Sequence, residues 1–424
     1  MKFTKHILDN GMIIMLLPMK QTELIAVGFF IDVGSKDEGD NYGLAHFFEH
    51  MMFAGTEKRS QEQLFKSLDG MAAEYNAITT SEHTYYYVNG HCDDTKKIID
   101  IVLDIYIHPV FKPNRIRKES KVIIEEMRMG KDNPYTKISN KMHEIYFQGT
   151  GLGKPIIGTE ESVSQLKQSD FHKFRKKYYI PKNTVFVIAG NFNAKQIYPI
   201  IEKVLSKLDN PKKSEKVVHK NDVIKHMQSQ NEPYVYILRD PSIYQAYVLL
   251  TFPIYDLYKT NEQEINIISH VLSTGFSSRL FTALRIEHGQ TYSLSAYPLN
   301  YESAGVFIIK TIIHPNELVE GIKNILTELR KIKKTPLDKT EYKKITTIIK
   351  RENIFNSAQP IDWLSYYGVQ LLRNREFNSN TEEMISKTSA KKVMEIAQKI
   401  FLYDKLNLFI YGNVKEENYD FIDL

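Results

Sequence analysis

Residues 43–53, Gly-Leu-Ala-His-Phe-Phe-Glu-His-Met-Met-Phe, place the tightest condition on this 424-residue chain. The run reads as a short helix, with Asp40 and Asn41 as candidate caps ahead of it and Gly55 near its end. At about 100° per residue, His46, Glu49 and His50 share one stripe, while Phe47, Phe48, Met51 and Met52 occupy much of the rest. A helix this apolar has to be packed inside the protein. Each polar group buried with it and left unpaired costs about 1–3 kcal/mol, and an unpaired charge costs more. The fold must therefore bring compensating groups to the stripe. A lone core histidine usually bonds a backbone carbonyl, but here two imidazoles stand at i and i+4, which matches the bite of a zinc ion. A glutamate three residues after the first can reach a water in the open coordination position without ligating the metal.

Catalytic zinc usually takes three protein ligands, so a further acid is expected elsewhere. The helical stretch Asn114 to Met129 offers it. Glu119 and Glu126 are seven residues apart, two turns, and lie on one face, whereas Glu125 points about 100° away. One of the two can ligate while the other supports a histidine ligand from behind.

Around these segments, strand-like runs rich in β-branched and aromatic residues lie at Leu24 to Val33, Thr84 to Asn89, Thr184 to Ala189, Tyr234 to Leu238, Ala246 to Phe252, Val306 to Ile313 and Leu406 to Tyr411. Phe3 to Leu8 and Met12 to Pro18 flank Asp9-Asn10-Gly11 as a hairpin, which breaks any resemblance to a signal peptide. Amphipathic stretches alternate with the strands, among them Gln61 to Leu68, Asp94 to Ile107, Ile200 to Leu208, Asn261 to Leu272, Pro315 to Lys334, Thr340 to Ser357 and Ala390 to Phe401. The class is α+β. A polar, lysine-rich stretch at 210–222 separates a domain at 1–209 from one at 223–424. The halves echo each other: Val185 to Asn191 (VFVIAGN) resembles Leu408 to Asn413 (LFIYGN), which suggests a duplicated domain.

Composition narrows the function. The formal charge of +5 comes from 56 basic and 51 acidic residues mixed along the chain, which gives nucleic-acid binding little support. No apolar stretch approaches the roughly 18 residues of a membrane helix. Cys92 is the only cysteine, which excludes an internal disulfide and points to an intracellular, cytoplasmic setting. His83, His91 and His288 lack metal spacing, Cys92 has no signature of an activated thiolate, and Trp363 reads as packing at a helix start.

His46-Phe47-Phe48-Glu49-His50 is the inverted zinc-peptidase motif, and 75 residues separate His50 from Glu126. The chain resembles the insulinase/pitrilysin family, close to the half-length type represented by mitochondrial processing peptidase and its bacterial relatives. That resemblance makes Glu126 the third ligand and sets Glu119 on the family's additional motif glutamate. Asn76 to Thr84 resembles the Asn-Ala-x-Thr segment, whose edge strand holds the substrate backbone, with Asn76 and Ala77 as contacts. Tyr179 to Asn191 resembles the end of the family's N-terminal domain. Ser277-Ser278-Arg279-Leu280-Phe281 to Tyr292-Ser293 is similar to its second-half segment, placing Arg285 and Tyr292 on residues that reach the active site from the opposite half of a clam shell.

The resemblance implies two similar α/β domains, each a mainly antiparallel sheet flanked by helices. It also implies one Zn²⁺ per chain and a zinc-dependent endopeptidase acting on peptides or unfolded, presequence-like polypeptides. Glu49 would be the general base, worth roughly 10²- to 10⁴-fold in rate, while Arg285 and Tyr292 would steady the oxyanion and the substrate main chain. A single pair of domains implies a dimer. Leu272 to Phe276 lacks the glycine-rich run of processing-peptidase non-catalytic subunits, which favours a homodimer. The rival is a non-catalytic peptide-binding or assembly subunit of the same fold. A zinc hydrolase of small molecules would not need the strand-pairing segment at Asn76.

Overall fold

The computed structural model describes residues 3–210, 230–373 and 381–415, which form two compact units. Among the described residues, the first draws on 3–129, 149–210 and 354–373, and the second on 130–148, 230–353 and 381–415. The linker expected at 210–222 lies, apart from Asn210, outside the described residues. Two described segments cross the division expected from the sequence: 130–148 packs with the second unit and 354–373 with the first.

The first unit is built on strands β1 (Thr4–Ile7), β2 (Ile13–Pro18), β3 (Leu24–Ile31), β4 (Glu74–Thr79), β5 (Thr84–His91) and β6 (Thr184–Gly190), in the spatial order β1-β2-β6-β3-β5-β4. β1 and β2 form the expected hairpin, turning at Gly11 with φ 86°. Only β2 and β6 run parallel. β3 is buried on both faces, which explains its unbroken apolar sequence. Ile25, Val27, Phe29 and Ile31 face a core shared with helices α1 (Leu44–Met52), α2 (Gln61–Asp69), α3 (Thr95–Ile107) and α4 (Pro113–Lys131). Ala26 and Phe30 face the other way, onto Leu364, Tyr367 and Leu371 of the helix Pro360–Leu372. A side chain at Gly368 would meet the Phe30 ring at 2.4 Å, so glycine is what lets this helix lie close on the sheet.

The second unit contains β7 (Tyr234–Arg239), β8 (Ala246–Pro253), β9 (Thr291–Asn300), β10 (Gly305–Ile313) and β11 (Asn407–Gly412), ordered β7-β11-β8-β10-β9. Helices Tyr255–Ser273, Leu318–Lys334 and Ala390–Ile400 cover one face through Ile268, Leu272, Ile322, Ile325, Val393 and Ile396. On the other face lies Pro134–Tyr146, where the Tyr146 hydroxyl meets Thr251 Oγ1 at 2.6 Å and accepts from Asn407 Nδ2 at 3.0 Å.

The echo seen in the sequence is an echo of topology. β6 lies between β2 and β3, parallel to the first and antiparallel to the second; β11 stands in the same relation to β7 and β8. Each ends on a glycine with positive φ, 123° at Gly190 and 151° at Gly412. A Cβ there would meet the Leu24 carbonyl oxygen at 2.3 Å or that of Gln245 at 2.2 Å. Close approach of the neighbouring strand, not a turn preference alone, demands the repeated glycine.

Periodicity passed over β9 and the helices Pro134–Tyr146, Gln168–Tyr178 and Pro360–Leu372, and it found β4 only through the resemblance of Asn76 to Thr79. β4 is an edge strand that alternates between exposed and half-buried residues, and only Tyr75 and Ala77 of its inward side pack on the core, too short an apolar pattern to stand out. Pro360–Leu372 is apolar over much of its circumference because it is a covered layer, which erases the helical period.

Candidate metal centre

α1 carries the histidine stripe because its apolar remainder is locked into the core. Phe47 and Phe48 are fully buried, and the Phe48 ring packs against Phe111, Phe174 and Tyr179. The helix is not capped by Asp40 or Asn41. Its N-cap is Gly43 in the left-handed region at φ 86°, with no side-chain cap of its own. Glu38 reaches across instead, accepting from Gly43 N at 2.8 Å and Ala45 N at 2.6 Å. Burial pushes the Glu38 carboxyl well above the ordinary carboxylate range, and these two N–H groups pull against it. A carboxylate at a helix N-terminus also complements the positive end of the helix dipole.

α4 lies alongside, its rotation set by buried Ile116, Ile123 and Met127. This aims Glu119 and Glu126 at α1, while Glu125 pairs with Arg128 at 2.7 Å on the exposed side. Glu126 Oε1 is 3.7 Å from His46 Nε2, and Glu126 Oε2 is 3.6 Å from His50 Nε2. These separations are too long for hydrogen bonds. Ligands 2.0–2.2 Å from a tetrahedral zinc stand about 3.4 Å apart, close to what is found. The donor atoms of His46, His50 and Glu126 all lie within 4.8 Å of one another. Two imidazoles and one carboxylate are a donor set that suits zinc, so the residues present fit the ion.

The surroundings differ for the two histidines. His50 Nδ1 meets Glu119 Oε1 at 3.0 Å, whereas His46 Nδ1 is buried with no hydrogen-bond partner among the described residues. Burial, reinforced by the charge of His50, drives the His46 pKa down to about 3, which keeps this ring neutral, the form able to bind a metal. Burial also lowers His50, but the Glu119 hydrogen bond and nearby carboxylates outweigh it and the net shift is upward. The Glu49 carboxyl is raised, chiefly by burial, against the pull of Thr79. Thr79 Oγ1 donates to Glu49 Oε2 at 2.6 Å.

Asn76 and Ala77 stand on β4, the edge strand of the first unit. Asn76 is exposed, and its Oδ1 accepts from Ala77 N at 2.8 Å. Arg285 and Tyr292 belong to the second unit. Arg285 lies in a π-helical turn, Thr282–Glu287, a geometry common at functional sites. Its guanidinium stacks 4.7 Å from the Tyr292 ring centroid and donates to the carbonyls of Thr291 at 3.3 Å and Tyr292 at 3.4 Å. Tyr292 is 83% exposed. Sequence reasoning missed Glu38, and it placed Thr79 in the substrate-strand segment without foreseeing its bond to Glu49, since neither residue lies within one turn of the group it touches. A second set of donors, His91, Cys92 and Asp93, also converges within 4.8 Å. Adjacency in the chain brings them together, with the Asp93 N–H donating to His91 Nδ1 at 3.3 Å.

The sequence profile described as Insulinase (Peptidase family M16) matches residues 14–160, and the one described as Peptidase M16 inactive domain matches residues 165–348. An uncharacterized zinc protease of Rickettsia bellii is 30% identical over 309 residues, which span 71% of each chain. The chain belongs to the insulinase family. Its insulinase-family fold is also that of a solved Helicobacter pylori protease, with a TM-score of 0.87 over 97% of this chain and 99% of that one at 20% identity. The Escherichia coli periplasmic protease PqqL aligns with a TM-score of 0.80 and 19% identity over 97% of this chain but 48% of its own length. This member of the family is thus similar to about half of PqqL. The zinc-protease name of the Rickettsia relative associates zinc with the family. Among the described residues, no helix is long and apolar enough to cross a membrane.

Proposed function

We propose that the chain is a zinc-dependent endopeptidase acting on peptides or unfolded, presequence-like polypeptides, with one Zn²⁺ held by His46, His50 and Glu126. The observation that carries this reading is the convergence of two imidazole Nε2 atoms on the two oxygens of one carboxylate at metal-ligand spacing. A zinc ion there supplies Lewis acidity toward a carbonyl oxygen and toward water. Glu119 holds His50 in the tautomer that leaves Nε2 as the ligating atom. Glu49 Oε1, the oxygen free of the Thr79 hydroxyl, takes the proton of the attacking water and passes it to the leaving amine. The exposed edge of β4 pairs with the peptide backbone around Asn76 and Ala77, which reads main chain more than side chain.

PqqL's double length supports a paired arrangement for this half-length chain. We propose a homodimer in which Arg285 and Tyr292 of one subunit complete the site on the other, the hydroxyl of the exposed Tyr292 and the guanidinium of Arg285 stacked on its ring serving as hydrogen-bond donors to the oxyanion and the peptide main chain.

The test is cleavage of unstructured quenched peptides of several lengths by zinc-loaded protein. Cleavage should vanish with a chelator and in Glu49→Gln, while zinc content and peptide binding in that variant stay intact. Zinc bound at one per chain without hydrolysis at any protein concentration would replace this reading with that of a non-catalytic peptide-binding or assembly subunit.

A further inference from the structure

Among the described residues, the Thr79 hydroxyl donates the one hydrogen bond that a side chain makes to Glu49, at 2.6 Å. The terminal torsion of a glutamate is broad and nearly two-fold, so packing alone leaves the carboxylate plane loose. A short bond from a hydroxyl to Oε2 fixes that plane and leaves Oε1 as the oxygen that meets the water.

Thr79 comes from a stiff corner. It is the last residue of β4, in register with Thr84 across the β4–β5 hairpin. In the turn that follows, the Thr80 hydroxyl accepts from Glu82 N at 3.2 Å and His83 N at 3.0 Å and donates to the His83 carbonyl at 3.0 Å. Glu82 is buried between Lys36 Nζ at 2.8 Å and Arg373 Nη2 at 3.1 Å. The hydroxyl therefore arrives at a position the hairpin dictates, and Glu49 adjusts to it. The same strand presents Asn76 and Ala77 at the sheet edge, so one rigid element can carry both the peptide and the group that orients the base.

We propose that Thr79 is a positioning residue that fixes the Glu49 carboxylate in register with a peptide paired on β4. This rests on the reading of Glu49 as general base. Thr79→Val keeps the shape and strand preference of the side chain and removes the donor, while Thr79→Ser keeps the donor. The expected result is a kcat for Thr79→Val lower by roughly 10- to 100-fold, the scale of a small misplacement of a reacting group. KM should stay within about twofold and zinc should remain at one per chain, with Thr79→Ser restoring most of kcat. In crystals of metal-free Thr79→Val, the Glu49 carboxylate should leave its present orientation. A wild-type kcat in Thr79→Val, a loss confined to KM, or an equal loss in Thr79→Ser would overturn the proposal. If the wild-type protein cleaves nothing, the endopeptidase reading falls, and the crystal comparison still decides Thr79: an unmoved Glu49 carboxylate refutes it.

Discussion

Among the described residues, Glu119 touches the proposed site through His50 alone, which separates its contribution from that of the proposed ligands. Replacing it with glutamine keeps the size and one acceptor but removes the negative charge that raises the basicity of the ring. Zinc affinity should fall about 10- to 100-fold, as for other carboxylates behind a histidine ligand. Competition with a chromophoric chelator measures this, and an unchanged affinity would reduce Glu119 to packing. His46 has no such support at Nδ1, so its orientation comes from the packing of α1 around it. Helical spacing alone pairs His46 with His50, and Glu119 with Glu126, on common faces without knowledge of anything distant, while the choice of Glu126 as the proposed ligand came only with the family resemblance. The bond from Thr79 to Glu49 could not be read this way, because thirty residues and a change of element separate the two. Asp40 and Asn41 misled for a related reason. They have the chemistry of caps, yet the left-handed Gly43 sits between them and the helix and lets Glu38 fold back onto the exposed N–H groups.

Two elements hold this arrangement, and each has its own measurable weakness. α1 depends on Glu38 at its start: Glu38→Ala would strand two buried N–H donors, at a cost of about 1–2 kcal/mol. Urea unfolding at neutral pH should show that loss, with Glu38→Gln losing less because one acceptor remains; equal stability of Glu38→Ala and the wild type would remove the cap from the account. The β4–β5 hairpin depends on pH through His83, whose pKa is lowered to about 4, first by burial and then by the charge of Arg373. A base with a depressed folded pKa takes up its proton more readily when unfolded, so the stability it contributes is complete above its ordinary 6.5 and is lost as the pH falls toward 4. Between pH 7.5 and 5 this single group should remove about 2 kcal/mol. His83→Gln should flatten the fall in melting temperature over that range, and an unchanged slope would show that the ring titrates freely. Elements that carry a two-faced or amphipathic pattern, such as β3 and α3, stood out in the sequence. The edge strand β4 and the covered helix Pro360–Leu372 did not, because one is half solvated and the other enclosed on most sides.

At the scale of the whole molecule, the repeated topology β2-β6-β3-β5-β4 and β7-β11-β8-β10-β9 supplies two copies of one scaffold, of which only the first bears the His46-Glu49-His50 helix. The proposed dimer assigns the second copy a role toward the partner, and complementation can test that assignment. Glu49→Gln keeps Arg285 and lacks the base, whereas Arg285→Ala keeps the base and lacks the guanidinium, so each homodimer should be nearly inactive. In a two-fold dimer made from both chains, the zinc site of the Arg285→Ala subunit would receive its partner's Arg285 and be complete, while the other site would carry both defects. Random re-assortment of equal amounts makes half of the dimers mixed, with one of two sites working, so about a quarter of wild-type activity per chain should return. If Arg285 instead served the zinc site of its own chain, mixing would restore nothing, because every site would still carry one lesion. The same experiment run on dilution should lose the recovered activity as dimers dissociate, with Tyr292→Phe substituting for Arg285→Ala as an independent version of the second lesion.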